Sequence, residues 1–329
     1  MDPRKENLNI QKWVIIVAVV LFIIKLVAYF MTHSVAILTD ALEGTVNVAA
    51  GLIGLYSLYI AATPRDENHP YGHGKAEFLS AAVEGTLISV AGIIIIIESI
   101  HSLLNPGLLR KLDYGIFMIA FTAAVNYGVG YFSIRKGRKN NSLALIASGR
   151  HLQTDTYTTV GIIIGLILIY FTGLVWLDSV VAIIFAGVIM VTGYKIVRES
   201  IAGIMDEADM EILSKMVALL NVNRRENWID LHNLRVIKYG GQLHVDAHLT
   251  LPWYQNLHEA HEEIDELGNL IRSHFGDSLE MFIHSDGCQY YQCNICYKKN
   301  CPVRQHPFDH KVEWTMANVL VNEKHRSLV

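Results

Sequence analysis

Two stretches of the chain place acid, amide and imidazole side chains at helix-stacking intervals. Asp40, Glu43 and Asn47 fall at i, i+3 and i+7, and His151 and Asp155 at i, i+4. Residues three or four apart share one face of a helix. Two such helices facing each other would offer Glu43, Asn47, His151 and Asp155 as four nitrogen and oxygen ligands to one divalent cation. Four-coordinate sets of this kind suit zinc, and carboxylate and amide oxygens also accept manganese or ferrous iron. A metal-free interhelical hydrogen-bond network is the other reading of the same spacing. Asp40, one turn before Glu43, is placed to support the set or to stand in for a ligand.

Further ligand-type residues lie elsewhere. In the loop 64–77, Asp66, His69 and His73 can converge on one cation, with Gly72 and Gly74 allowing a tight turn. Of 15 histidines, 10 occur from His232 onward. His244, Asp246 and His248 share a face by strand alternation, His258 and His261 lie about one helical turn apart, and His284 and Asp286 close a later strand. His232 and His274 read as surface residues. All 4 cysteines fall in the pattern Cys288-x4-Cys293-x2-Cys296-x4-Cys301. Four clustered thiols in a reducing compartment favour a four-cysteine metal site over disulfides. Structural zinc leads, an iron–sulfur cluster is the alternative, and unliganded thiols are the third reading; Cys288 is also close enough to His284-x-Asp286 to serve that pair instead.

These residues need elements to hold them. The chain has 329 residues, 52% hydrophobic and only 18% charged, and its mean hydropathy is +0.30. Apolar runs at 13–31, 35–62, 76–104, 114–134, 143–172 and 175–197 are each long enough to cross a bilayer. The first exceeds a cleavable signal core and reads as a retained span. Gly161-x3-Gly165 reads as helix packing. Flanking charge orients the bundle. With a cytoplasmic N-terminus the inside segments carry eleven basic residues (Arg4, Lys5, Lys12, Arg65, Lys75, Arg135, Lys136, Arg138, Lys139, Lys195, Arg198) against two outside, Arg110 and Lys111. Both termini are then cytoplasmic. From about 200 onward the pattern changes to helix 209–220, strands 231–238 and 242–251 around Gly240–Gly241, helix 257–275 and strand 278–284. This αββαβ order fits a small ferredoxin-like α+β domain. The expected organisation is an N-terminal segment 1–12, a six-span all-α transmembrane bundle 13–200, an α+β domain 201–287 and a Cys/His-rich tail 288–329. A net charge of −4 gives no basic surplus for nucleic acid.

The run 34–47, the loop His69-Pro-Tyr-Gly-His-Gly-Lys-Ala-Glu77 and His151-x3-Asp155 together resemble the cation diffusion facilitator family, its bacterial zinc/iron efflux branch in particular. The resemblance implies a homodimer in the cytoplasmic membrane of a prokaryote that exchanges a divalent metal for protons by alternating access. It implies a transport site of Glu43, Asn47, His151 and Asp155 and a loop site of Asp66, His69 and His73. By the same resemblance, a cytoplasmic site comprises His248, His261, His284 and Asp286, with His244 as an added ligand, and Lys75 and Asp206 form an inter-domain charge pair. The family usually carries Asp or His at the Glu43 position and Asp at the Asn47 position, so this chain lacks one titrating carboxylate there.

The function expected is therefore efflux of a divalent transition metal, with zinc first and ferrous iron, manganese or cobalt as further candidates. Ligand protonation couples it to protons, since metal binding requires neutral imidazole and ionised carboxylates. The alternative is a membrane-anchored metal or redox sensor that signals through its cysteines. No nucleophile–base motif accompanies the ligands, so a hydrolase is not expected.

Overall fold

A computed structural model of the chain describes residues 3–61, 63–105, 111–139, 143–239, 242–276 and 279–326. Ala62, Arg110, Gly240, Gly241 and Ser278 lie outside the described residues, as do the side chains of Arg4 and Lys5. The chain divides into two compact units, Met1–Tyr59 with Leu79–Ile201, and Ile60–Phe78 with Ala202–Val329. Sequence puts a boundary near 200 and sets the tail apart. In the structure the first unit ends at Ile201, and the segment 60–78 and the tail group with the second unit.

The first unit carries α1 (Pro3–Thr32), α2 (Val35–Ala61), α3 (Ala76–Leu104), α4 (Leu112–Lys139), α5 (Leu143–Thr172) and α6 (Trp176–Ile204), with one end of α2, α3 and α6 belonging to the second unit. All six are long and apolar enough to span a bilayer, as expected. A helix satisfies its own backbone N–H and C=O groups, which hydrocarbon cannot do. Only 19% to 39% of each span is buried, and Phe117, Leu104 and Phe171 point outward. In water such apolar surface would drive association, whereas in a bilayer it meets lipid tails. Inside, Ala28, Ile37, Ile119, Ile162 and Leu166 join α1, α2, α4 and α5. Val35, Ile95, Ala182 and Ala186 join α2, α3 and α6. Gly161 and Gly165 let α5 approach α6: a Cβ on Gly165 would stand 2.9 Å from Val181, and one on Gly161 would strike the Phe185 ring.

The start of α2 is held by two groups. His33, at φ 55°, breaks the chain from α1. Ser34 Oγ accepts from Ile37 N at 3.2 Å, and the buried carboxylate of Asp178 on α6 accepts from Ser34 Oγ and Val35 N, both at 2.6 Å. Orphan N–H groups of the first helical turn are thus satisfied, one of them by a neighbouring helix. This fixes the rotation of α2, and with it the direction in which Asp40, Glu43 and Asn47 point.

In the second unit the order is α7 (Met210–Val222), β1 (Asp230–Tyr239), β2 (Gln242–Leu251), α8 (Leu257–Phe275) and β3 (Leu279–Gly287), followed by a 3-10 turn at Tyr290–Gln292 and α9 (Met316–Val319). Asp209 caps α7, and Asn256 with Glu259 forms a capping box on α8. The sheet runs β1-β2-β3, with β1 antiparallel and β3 parallel to β2, as an αββαβ order with a helical crossover requires. One face of the sheet is apolar. Val245, Ala247, Leu249 and Leu251 pack there against Leu213, Met216 and Leu220 of α7 and Leu267 and Ile271 of α8. Trp314 and Val319 of the tail enter the same core. The opposite face carries the polar residues of each strand.

Candidate metal centres

On α2 and α5 the expected residues meet. His151 Nε2 donates to Asn47 Oδ1 at 3.1 Å, and Asn47 Nδ2 donates to Asp155 Oδ2 at 2.5 Å. His151 Nε2 stands 4.0 Å from the same Asp155 oxygen. Glu43 is one turn along α2, where Thr158 donates to its Oε2 at 3.2 Å. Asp40 is not a free ligand. Its Oδ1 receives Lys25 Nζ at 2.9 Å and Thr159 Oγ1 at 2.6 Å, and all three residues are buried. Thr159 also donates to the Asp155 carbonyl at 2.9 Å, so Asp40 touches the turn of α5 that carries Asp155. Lys25, Asn47, Asn126 and Asp155 line a cavity of about 20 Å³, space for one water or small ion. Lys25, Thr158 and Thr159 belong to no motif that would mark them. A lysine in mid-span is the one available signal, since an unpaired charge is costly there.

The loop after α2 also closes on itself. Asp66 Oδ1 accepts from His69 N at 2.6 Å and lies 3.0 Å from His69 Nδ1, while Asp66 Oδ2 is 3.5 Å from His73 Nε2. The backbone N–H of His69 holds the Asp66 carboxyl below its usual range, against a smaller opposing effect of burial. Gly72 takes φ 88°, where glycine is favoured; among the described residues Gly74 does not adopt that region. Lys75 Nζ reaches Asp206 Oδ2 at 2.9 Å and lies over the Tyr239 ring.

Across the sheet, strand register sets three histidines side by side. His232 pairs with His248, and His248 with His284. Asp286 Oδ2 lies 3.5 Å from His232 Nε2 and 3.4 Å from His248 Nδ1, and His284 Nε2 is 3.8 Å from Asp286 Oδ1. Asp286 Oδ2 is buried and without a hydrogen-bond partner. Such an oxygen between two imidazoles suits a cation. His248 has its pKa lowered by burial first and then by His232, which favours the neutral form that ligates. Beneath, Asp230 Oδ2 lies 3.3 Å from His232 Nδ1, and the carboxylate accepts from the ring and backbone N–H of His325. Burial pushes the Asp230 carboxyl up, but these partners outweigh it and hold it well below the usual range.

Three expectations need correction here. His232 is buried in the cluster and is no surface residue. Pairing that begins at Tyr239 with Gln242 would bring His232 opposite Leu249, but a bulge between His232 and Arg235, with Asn233 at φ 53°, moves it opposite His248. His261 does not join the cluster. Helix α8 covers the apolar face of the sheet, and His261 points to solvent beside Asp265, whereas the cluster occupies the other face. His244 turns to Glu280 at 3.2 Å and packs against Tyr71 and Tyr239, away from His248. His258 and His274 are exposed, His274 as the sequence reading expects.

Comparison with known proteins settles the family. Residues 12–205 match the model of the cation efflux transmembrane domain, and residues 209–288 that of the cation efflux protein cytoplasmic domain. The chain belongs to the cation diffusion facilitator family. An uncharacterized transporter of Synechocystis is 34% identical over 75% of this chain and 80% of its own length. The cation-efflux pump FieF of Shewanella oneidensis is 26% identical over 83% and 91%. The manganese efflux system protein MneP of Bacillus subtilis is 27% identical over 76% and 86%. This family member therefore has the transmembrane and cytoplasmic parts that both models describe.

Beyond Cys288, the tail lies outside both family matches. Cys288, Cys293, Cys296 and Cys301 are free thiols lining one cavity of about 330 Å³ with Trp253, Gln292 and Arg304. Burial pushes the Cys288 and Cys296 thiols up. Arg304 donates to the carbonyls of Cys293 and Cys296, both at 2.9 Å, and of Lys298 at 2.7 Å. Arg224 anchors the tail further on, donating to Val312 O at 2.7 Å with Trp314 over its guanidinium at 4.3 Å. Burial lowers that guanidinium to about 10. Lys324 Nζ then reaches Asp286 Oδ1 at 3.0 Å.

Proposed function

We propose that this chain exports a divalent first-row transition cation in exchange for protons, working as a homodimer with both termini in the cytoplasm. The observation that carries the reading is the hydrogen-bonded chain His151–Asn47–Asp155 beside Glu43, which joins α2 to α5 at membrane depth. One imidazole and three oxygen-bearing side chains suit zinc, ferrous iron, manganese or cobalt, and the absence of sulfur among them disfavours cuprous copper. Once Glu43 and Asp155 give up their protons, they bring two negative charges beside the Lys25–Asp40 pair, which one divalent substrate neutralises. A sensor would leave the ligand set on α2 and α5 without a use.

Protons and substrate compete at the same atoms. With no cation bound, Asn47 keeps Asp155 and His151 in place, its amide N–H on the carboxylate and its carbonyl on the imidazole. Substrate entry replaces both bonds and requires the imidazole nitrogen to be free of its proton. Reprotonation of His151 and Asp155 in the outward-open state releases the cation. Because Lys25 and Thr159 engage Asp40 Oδ1, Asp40 acts as fixed background charge.

The histidine cluster would hold a resident divalent ion through His232, His248, His284 and Asp286, cross-linking three strands. Its chemistry is structural. Asp66, His69 and His73 offer a further, solvent-facing site.

Uptake of zinc, ferrous iron, manganese and cobalt into proteoliposomes across a pH gradient tests the proposal. His151→Ala and Asp155→Ala are each expected to abolish uptake while the dimer persists in detergent. Proton-dependent uptake that survives in both variants overturns the site assignment, and parent protein that moves none of the four ions overturns the function.

A further inference from the structure

We infer that Cys288, Cys293, Cys296 and Cys301 hold a zinc-class divalent ion as four thiolates, and that this ion clasps the tail to the sheet. The inference does not depend on transport. All 4 cysteines of the chain fall within this segment, line one cavity and are unpaired. They arrive from three places. Cys288 follows β3 and is held by its N–H on Leu251 O at 2.9 Å. Cys293 and Cys296 flank a tight turn, Cys296 N to Cys293 O at 3.4 Å, the knuckle that a Cys-x2-Cys pair forms around zinc. Cys301 returns from the following loop, and Arg304 ties that return to the knuckle through the carbonyls of Cys293 and Cys296.

A second observation lies beside them. The phenol oxygen of Tyr254, next to the cavity wall at Trp253, is buried without a hydrogen-bond partner. A metal-bound thiolate is a far better acceptor than a thiol, so ligation would satisfy that hydroxyl. Binding releases the thiol protons to solvent and leaves a tetrahedral sulfur site closed to water, the form structural zinc adopts. Downstream, the same tail contributes Trp314 and Val319 to the core and sets Lys324 on Asp286. The clasp therefore lies between the sheet and the segment that reaches the histidine cluster.

The test uses the full-length protein in detergent, stripped of metal and titrated with cobalt(II). Intense thiolate-to-cobalt charge-transfer bands with tetrahedral ligand-field bands are expected, displaced by one equivalent of zinc and lost in Cys293→Ser/Cys296→Ser. The other candidate centres contain no thiol, so these bands report the tail alone, and they persist in His151→Ala whatever becomes of transport. A second measurement needs no variant: in the parent protein, zinc should slow alkylation of all four thiols at least about tenfold relative to chelator-treated protein. Overturning results are cobalt spectra without thiolate bands, thiols that alkylate equally fast with and without zinc, or an iron–sulfur chromophore in the protein as isolated.

Discussion

Lys324 Nζ lies 3.0 Å from Asp286 Oδ1, while the other oxygen of that carboxylate faces His232 and His248 at 3.5 and 3.4 Å. A tail ammonium thus neutralises the acid that the histidine cluster would offer to a metal. Lys324→Met should raise the cluster's metal affinity, by roughly fivefold if the partly exposed pair is worth about 1 kcal/mol. Competition titration of the full chain against a metal indicator measures it. Affinity that is unchanged or weaker would show that the lysine is not a competing cation.

Asn47→Asp restores a titrating carboxylate between His151 and Asp155. Because an added acid must ionise before it ligates, transport should become more steeply dependent on pH and fail earlier as pH drops. Initial uptake rates measured against pH distinguish the two proteins; parallel profiles contradict the role assigned to Asn47.

Lys25 and Asp40 form a buried pair at 2.9 Å inside the bundle. Removing one partner leaves an uncompensated charge, so Lys25→Met or Asp40→Asn should each destabilise by about 3–5 kcal/mol, and the double variant by less than either. Thermal unfolding in detergent provides the cycle. Additive losses would mean the two groups are independent.

Asp209 caps α7 through the N–H groups of Glu211 and Ile212 and pairs with Lys238. Lys238 first, then the Ile212 N–H, holds its carboxyl below the usual range. A group depressed on folding contributes fully above its unfolded value of about 3.9 and loses that contribution as pH falls through the folded value. Asp209→Ala should cost about 1 kcal/mol at neutral pH, and the gap should narrow once pH drops below about 4. Hydrogen exchange of the α7 amides reads this locally, and a gap that widens in acid refutes it.

The elements are largely legible in the sequence because their signals are local. Long apolar runs mark α1 to α6, and two-residue alternation from Leu243 to Leu251 marks β2. The meeting of Asn47 with Asp155 is legible too, since helical spacing puts each on a definite face. What escapes depends on events between elements. The bulge at Asn233, which turns His232 into the cluster, leaves no trace in composition. Helix α8 covers the apolar face of the sheet, which puts His261 on the side away from the cluster; matching ligand types along the chain does not take that packing into account. The return of Lys324 and His325 onto β1 and β3 arises after the 36 residues between Gly287 and Lys324, too irregular for periodicity to follow.

On β2, core residues and metal-type residues interleave one by one: Val245, Ala247 and Leu249 face the helices, and His244, Asp246 and His248 face away. Point substitutions on the outer set can therefore change the side chains that face presents while the fold stays as it is. A single inserted residue would be far more damaging, because everything beyond it would exchange faces and send imidazoles into the core. The domain is open to evolutionary drift in chemistry and closed to drift in length.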